Sequence, residues 1–201
     1  MAKKRSCIGF IFGFVAILCT DSRGQTGLEQ QREEVFKVAF SQVGLLEKGH
    51  NKNPKIIEFH QSVNRNLAKI RPVPPYCASF VWWCFQQAGV KPTRINNPAR
   101  ARDWFAAKDR IVLTQQTLRG NRRMMKLPEK GDVIGYVFSG GAISHLEIFE
   151  RFDLENGWVW AVGGNTSARQ SATSVNREGE GVFYVRRKLK MVYAIANPFI
   201  P

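Results

Sequence analysis

Cys77 is the residue in this chain best placed to act as a nucleophile. It follows Pro74-Pro75-Tyr76 and opens the run Cys77-Ala78-Ser79-Phe80-Val81-Trp82-Trp83-Cys84-Phe85-Gln86-Gln87-Ala88-Gly89. The prolines impose an extended lead-in. Phe80, Val81, Cys84 and Ala88 then recur at helical spacing, and Gly89 supplies a C-terminal stop, so the pattern predicts a helix over 77–88. The first turn of a helix carries unpaired N–H groups and the positive end of the dipole, which favour an anion. A thiol there is drawn toward the reactive thiolate. The plainer reading is a small buried apolar side chain. What separates the two is a base within reach.

Three histidines follow the first helix. His50 lies in the polar loop Glu47–Asn53 and reads as surface. His60 sits among apolar residues of a predicted helix and reads as a satisfied core side chain. His145 opens a strand directly after Gly140-Gly141-Ala142-Ile143-Ser144, where an imidazole can face a helix end packed on a sheet. A cysteine nucleophile needs such a base, and the base needs a third polar group to orient it. Counting out and back from the Asn156-Gly157 turn brings Asn165 opposite His145. Its amide oxygen would accept the imidazole N–H and set the tautomer. Beside two glycines, Asn165 could equally be a turn-former. The expected outcome is sulfur and imidazole meeting at an open groove.

The elements that must hold these residues come in a simple order. An amphipathic helix is expected over 28–46 through Val35, Val38, Ala39, Gln42, Leu45 and Leu46. A second starts at Pro54 behind an Asn53 cap and runs out near Asn66. A short helix is expected from Asn97-Pro98 through Phe105, then a basic loop with one strand at Ile111–Leu113 and the cluster Arg119, Arg122, Arg123, Lys126. Strands follow at 133–138, 145–152, 158–162, 182–186 and 191–196, with a polar loop at 165–180. Helices followed by an antiparallel meander make the class α+β.

The net charge of +14 over 201 residues suits contact with a polyanion. Lys3-Lys4-Arg5, the apolar run Cys7–Cys19 and the polar Thr20–Gln25 have the layout of a secretory leader. The run is shorter than the roughly 20 residues that span a bilayer. The expected division is a leader over 1–25 and one domain over 26–201, exported to the periplasm or beyond. An uncleaved anchor and lipidation at Cys19 are the alternatives. Cys77 and Cys84 then remain, some 10 Å apart along a helix and too far to pair. An unpaired cysteine in an exported chain points to a used thiol.

Together, Tyr76-Cys77-Ala78-Ser79-Phe80-Val81-x-Trp83-Cys84, Gly131-Asp132-Val133, Ser144-His145 and Gly163-Gly164-Asn165-Thr166 resemble the CHAP amidase/endopeptidase domains, relatives of the NlpC/P60 peptidases. Val43-Gly44-x-x-Glu47 and Asn51 are similar to the lead-in of such proteins. The resemblance implies a papain-like α+β fold with N-terminal helices packed on a C-terminal antiparallel sheet. It implies cleavage of peptidoglycan amide bonds with Cys77 as nucleophile, His145 as base and Asn165 as orienting residue. Tyr76, Glu47, Trp82 and Glu147 are the expected substrate-side neighbours. Many members carry Glu-Gly-Asn where this chain has Gly163-Gly164-Asn165. Glu147, two residues from His145 on the same strand face, is the expected partial substitute. The chemistry needs no cofactor or metal. A non-catalytic envelope-binding module is the alternative. A nucleic-acid binder would use the same arginines but lacks a paired aromatic–basic platform.

Overall fold

The computed structural model describes residues 22–120, 126–138, 141–167 and 180–200, with side chains from residue 27 onward. Four helices are described: α1 (Ser22–Phe40), α2 (Pro54–Val63), α3 (Cys77–Gln87) and α4 (Gln115–Arg119). Six strands accompany them: β1 (Ile111–Thr114), β2 (Val133–Tyr136), β3 (His145–Asp153), β4 (Trp158–Thr166), β5 (Gly181–Lys188) and β6 (Val192–Ala196). The class is α+β. Most of the expected leader, and Arg122 and Arg123 of the basic cluster, lie outside the described residues. Among the described residues no helix is long and apolar enough to cross a membrane.

The helices follow local signals with adjustments that packing explains. Asn53 caps α2, its Oδ1 accepting the Lys55 N–H at 2.9 Å, with Pro54 in the first turn. Ala88 caps α3 and Gly89 follows at φ +70°, the left-handed conformation a helix stop uses. The first helix departs from expectation. It begins at Ser22 and ends at Phe40, so Leu45 and Leu46 are not helical. The backbone turns at Gly44 (φ +94°), and the Leu45 carbonyl accepts the Val182 N–H at 2.9 Å. Pairing with the sheet takes the place of another helical turn. The expected helix from Asn97 is a turn followed by a 3₁₀ segment, Ala101–Phe105. The expected basic loop contains α4, capped by Thr114, whose Oγ1 accepts the Thr117 N–H at 3.2 Å.

All six strands form one antiparallel sheet in the order β1-β6-β2-β3-β4-β5. Strands β2 to β5 are the expected meander, with Gly157 at φ +70° in the β3–β4 turn. The expectation fails for β6. It does not extend the meander beyond β5 but crosses back to lie between β1 and β2. Its composition accounts for this. Ala194 and Ala196 pack into one core while Val192 and Ile195 pack into the other. A strand buried on both faces belongs inside a sheet, not at its edge.

Two apolar cores flank the sheet. The first joins α1, α2 and α3 to Val133, Leu146, Ile148, Val162 and Val182. The second, on the other face, joins Ile134, Tyr136, Phe149, Val159, Ala161 and Val185 to Leu113 and Leu118. Helix α3 lies very close to β4: a Cβ on Gly164 would stand 2.8 Å from the Phe80 ring. Asp132, in the turn before β2, accepts from Arg32 of α1 at 2.7 Å. Burial nevertheless raises its carboxyl to about 6.

His60 is a buried connector between α2 and α3, as expected. Its Nε2 is 3.1 Å from the Pro74 carbonyl and its Nδ1 3.1 Å from Ser79 Oγ. The neutral ring therefore donates from Nε2 and accepts from the serine hydroxyl. Burial lowers its pKa below 6.5, with the Pro74 contact opposing. The folded state thus binds this proton less readily than the unfolded chain. Its contribution to stability is present above about pH 6.5 and is lost as pH falls below that value. Urea melts at about pH 7 and about pH 5 will show a smaller fall in midpoint for His60→Gln than for the wild type.

Candidate functional site

Cys77 is the first residue of α3 and His145 the first residue of β3, two element ends that the packing of α3 on β3 and β4 brings together. The thiol and the imidazole are close enough to influence each other's ionisation. Burial works against the Cys77 thiolate. The His145 hydrogen bond and charge, with the backbone of Leu146 and Ala78, outweigh it and hold the thiol below its ordinary pKa. Burial likewise lowers the basicity of His145, but the thiolate and then Glu147 raise it above the ordinary value. Each member of the pair thus favours the charged form of the other. Cys84, by contrast, is fully buried, and burial pushes its thiol well above the ordinary value. It is a core side chain.

The site is more enclosed than expected. Cys77 is 5% exposed and His145 3%. Both groups are buried, not set at an open groove.

A polar chain extends behind the imidazole. His145 Nε2 lies 3.2 Å from Glu147 Oε1. The Arg187 Nε donates to Glu147 Oε1 and Oε2 at 2.8 and 2.9 Å, and its Nη2 also donates to Oε1. The same Nη2 donates to Thr166 Oγ1 at 3.1 Å. The Tyr136 ring lies 5.0 Å from the Arg187 guanidinium carbon. Tyr136 and Phe138 flank the imidazole at centroid distances of 6.0 and 5.4 Å. Burial would protonate Glu147, but the Arg187 charge and the hydrogen bonds of His145 and Arg187 bring its carboxyl down to about 2. It is a carboxylate at any working pH.

The other expected residues are placed as follows. Asn165 is buried at the end of β4 near the start of β3, in a bulge with φ +55°. Asn165 was expected to accept the imidazole N–H; the partner seen at the imidazole Nε2 is Glu147 Oε1. Tyr76 is fully buried, so it does not line a cleft. Its hydroxyl lies near Glu47 and the Asn165 backbone, and burial followed by the Glu47 charge pushes its phenol up. Glu47 holds the preceding loop, its Oε2 accepting the Asn51 N–H at 2.7 Å. Trp82 turns away from the thiol: its Nε1 donates to the Ser62 carbonyl at 3.1 Å and its ring meets Trp104 edge-on. Glu147 is fully buried behind the base and so is not on the substrate side. Arg187 was not anticipated, since it falls just past the expected strand 182–186, in a basic stretch read as a turn. The available signal was strand alternation, which places Arg187 on the face of Val185, inside the second core.

An α+β protein with a thiol–imidazole pair backed by a carboxylate is thus defined. Residues 71–165, which include Cys77, His145, Glu147 and Asn165, match the family model of the CHAP domain, and over those residues the chain is similar to that domain. CHAP domains are typically hydrolases acting on peptidoglycan. No curated protein and no solved structure matches the chain.

The Glu147–Arg187 pair sits in an apolar core, so removing one partner strands the other. Arg187→Met is expected to lower unfolding stability by about 3–5 kcal/mol in urea melts. Lys190→Met, at an exposed position, is expected to stay within about 0.5 kcal/mol of the wild type.

Proposed function

We propose that this protein is an exported cysteine hydrolase that cleaves an amide bond of peptidoglycan, with Cys77 as nucleophile and His145 as general acid and base. The observation that carries the reading is the placing of Cys77 at the first position of α3 and His145 at the first position of β3, two elements packed together, with Glu147 Oε1 3.2 Å from the imidazole Nε2. The arrangement is the papain-like one: a helix end meets a sheet strand, and nucleophile and base come from different elements.

The reaction runs in two steps. The Cys77 sulfur attacks the substrate carbonyl carbon, and the carbonyl oxygen takes up negative charge. The N–H groups at the start of α3, including that of Cys77, point toward this charge and stabilise it. His145 gives its proton to the leaving nitrogen, the C–N bond breaks, and an acyl-thioester remains. His145 then takes a proton from water as the water oxygen attacks the thioester. The acid product leaves and the thiolate–imidazolium pair is restored. Asn165, at the same end of β4, is assigned a supporting place beside the site. The net charge of +14 favours residence on an anionic envelope polymer. Residues 1–25 are proposed as the export leader.

The enclosure of Cys77 favours one second reading, a basic envelope-binding module of the same fold that does no chemistry. Digestion of purified sacculi separates the two. The wild type is expected to release soluble fragments, and Cys77→Ala to lose that release by on the order of 10³-fold or more. Equal release from a folded Cys77→Ala protein rules out the thiol route. Retained binding with no release by the wild type supports the module.

A further inference from the structure

The imidazole partner in this molecule comes from an unexpected strand. In β3, His145 and Glu147 are two residues apart and share a face, opposite Leu146 and Ile148, which pack into the helix-side core. In β4 the facing positions are set by the pairs Phe149 with Ala161 and Ile148 with Val162. One step further along that register, Glu147 faces Gly163. At Gly163 there is no room for a side chain: a Cβ would stand 2.9 Å from both Glu147 Cγ and Oε1. The volume a side chain on β4 would fill is taken by the Glu147 carboxylate.

That carboxylate cannot move aside freely. Arg187, on β5, grips both of its oxygens, and Arg187 is itself tied to Thr166. Gly163 is therefore more than a flexible link before Asn165. Its backbone φ is not in the left-handed region, so nothing in the local conformation demands glycine. The demand comes from across the strand pair.

We propose that Glu147 is the positioning residue for the His145 base, that Arg187 clamps it, and that the missing side chain at Gly163 is the complementary half of this device. The acid and the vacancy form one unit spread over two strands. Glu147 touches no substrate. It acts through the imidazole, fixing the ring by the Nε2 contact and stabilising its protonated form, and through it the Cys77 thiolate. Arg187 draws on the same Oε1, so the carboxylate stays charged and does not take the proton from His145. The mobile proton is left to the sulfur and the imidazole. This inference rests on the thiol–imidazole pair of the proposed function but not on peptidoglycan as substrate.

The test follows the Cys77 thiolate by its ultraviolet absorbance as pH is varied, each protein being referenced to the same protein with Cys77→Ser. Glu147→Gln is expected to raise the midpoint for thiolate formation by about one pH unit or more. Gly163→Ala is expected to raise it in the wild type, by displacing the carboxylate, and to leave it unmoved in a Glu147→Ala background. The exchange variant Glu147→Ala, Gly163→Glu returns a carboxylate to the same volume from the other strand. It is expected to recover at least about half of the shift that Glu147→Ala alone produces. If Glu147→Gln does not fold because Arg187 is stranded, Glu147→Gln with Arg187→Met removes that charge and is read in the same way. A wild-type midpoint in folded Glu147→Gln, or an exchange variant no better than Glu147→Ala, overturns the proposal. Sacculus digestion runs in parallel. Shifted midpoints with no fragment release by the wild type leave the positioning device standing and remove the hydrolase reading. Fragment release with an unmoved Glu147→Gln midpoint does the reverse.

Discussion

A carboxylate and a guanidinium buried in the second core, Glu147 and Arg187, are the constraint around which the site is built. Two charges removed from water are costly unless each is fully engaged. Here Glu147 is engaged by Arg187 and His145, and Arg187 by Glu147, Thr166 and the face of Tyr136. The four strands that carry these residues, β2 to β5, are thereby locked in one register. A slip of one residue would turn the charges into the opposite core. The same network delivers a fixed negative charge to one side of the imidazole, so the ring is oriented by the fold itself.

The front of the imidazole depends on a second constraint, the close seating of α3. Phe80 packs against the bare backbone of Gly164, and His60 ties Ser79 of α3 to the Pro74 carbonyl just before it. The helix end cannot retreat from β3 without opening the first core. This keeps the first residue of α3 beside the first residue of β3 although burial disfavours charge on both. Adjacent glycines of β4 serve opposite faces of the sheet: Gly164 admits a helix and Gly163 admits a carboxylate.

The enclosure of the pair has chemical meaning. Little water competes for the thiolate or the imidazolium, so each interaction in the site is stronger than it would be in an open cleft. Access is correspondingly narrow. In the proposed function, surface charge and site chemistry are separate features: the excess of lysine and arginine concerns where the protein would reside, and the chain from Cys77 to Arg187 concerns what would happen to a bond there.

Local elements were legible in the residue order. The cap and proline before α2, the apolar stripe and terminal glycine of α3, the Asn156-Gly157 turn and the β3 strand start are short-range signals, and short-range sterics and hydrogen bonding determine them. So too was the placing of Cys77 at a helix start and of His145 at a strand start. Three things were decided only by tertiary structure. The end of α1 at Phe40 and the return of β6 to the middle of the sheet depend on which backbone groups find partners far along the chain. The burial of Tyr76, Glu147 and Arg187 depends on two cores closing over them. The hydrogen bond to His145 Nε2 depends on side-chain volume across a strand pair, where Gly163 leaves the space that Glu147 fills. Residue order states which groups are present and how each segment prefers to bend; only packing allots the limited space between segments, and in this protein that allotment chose the acid behind the base.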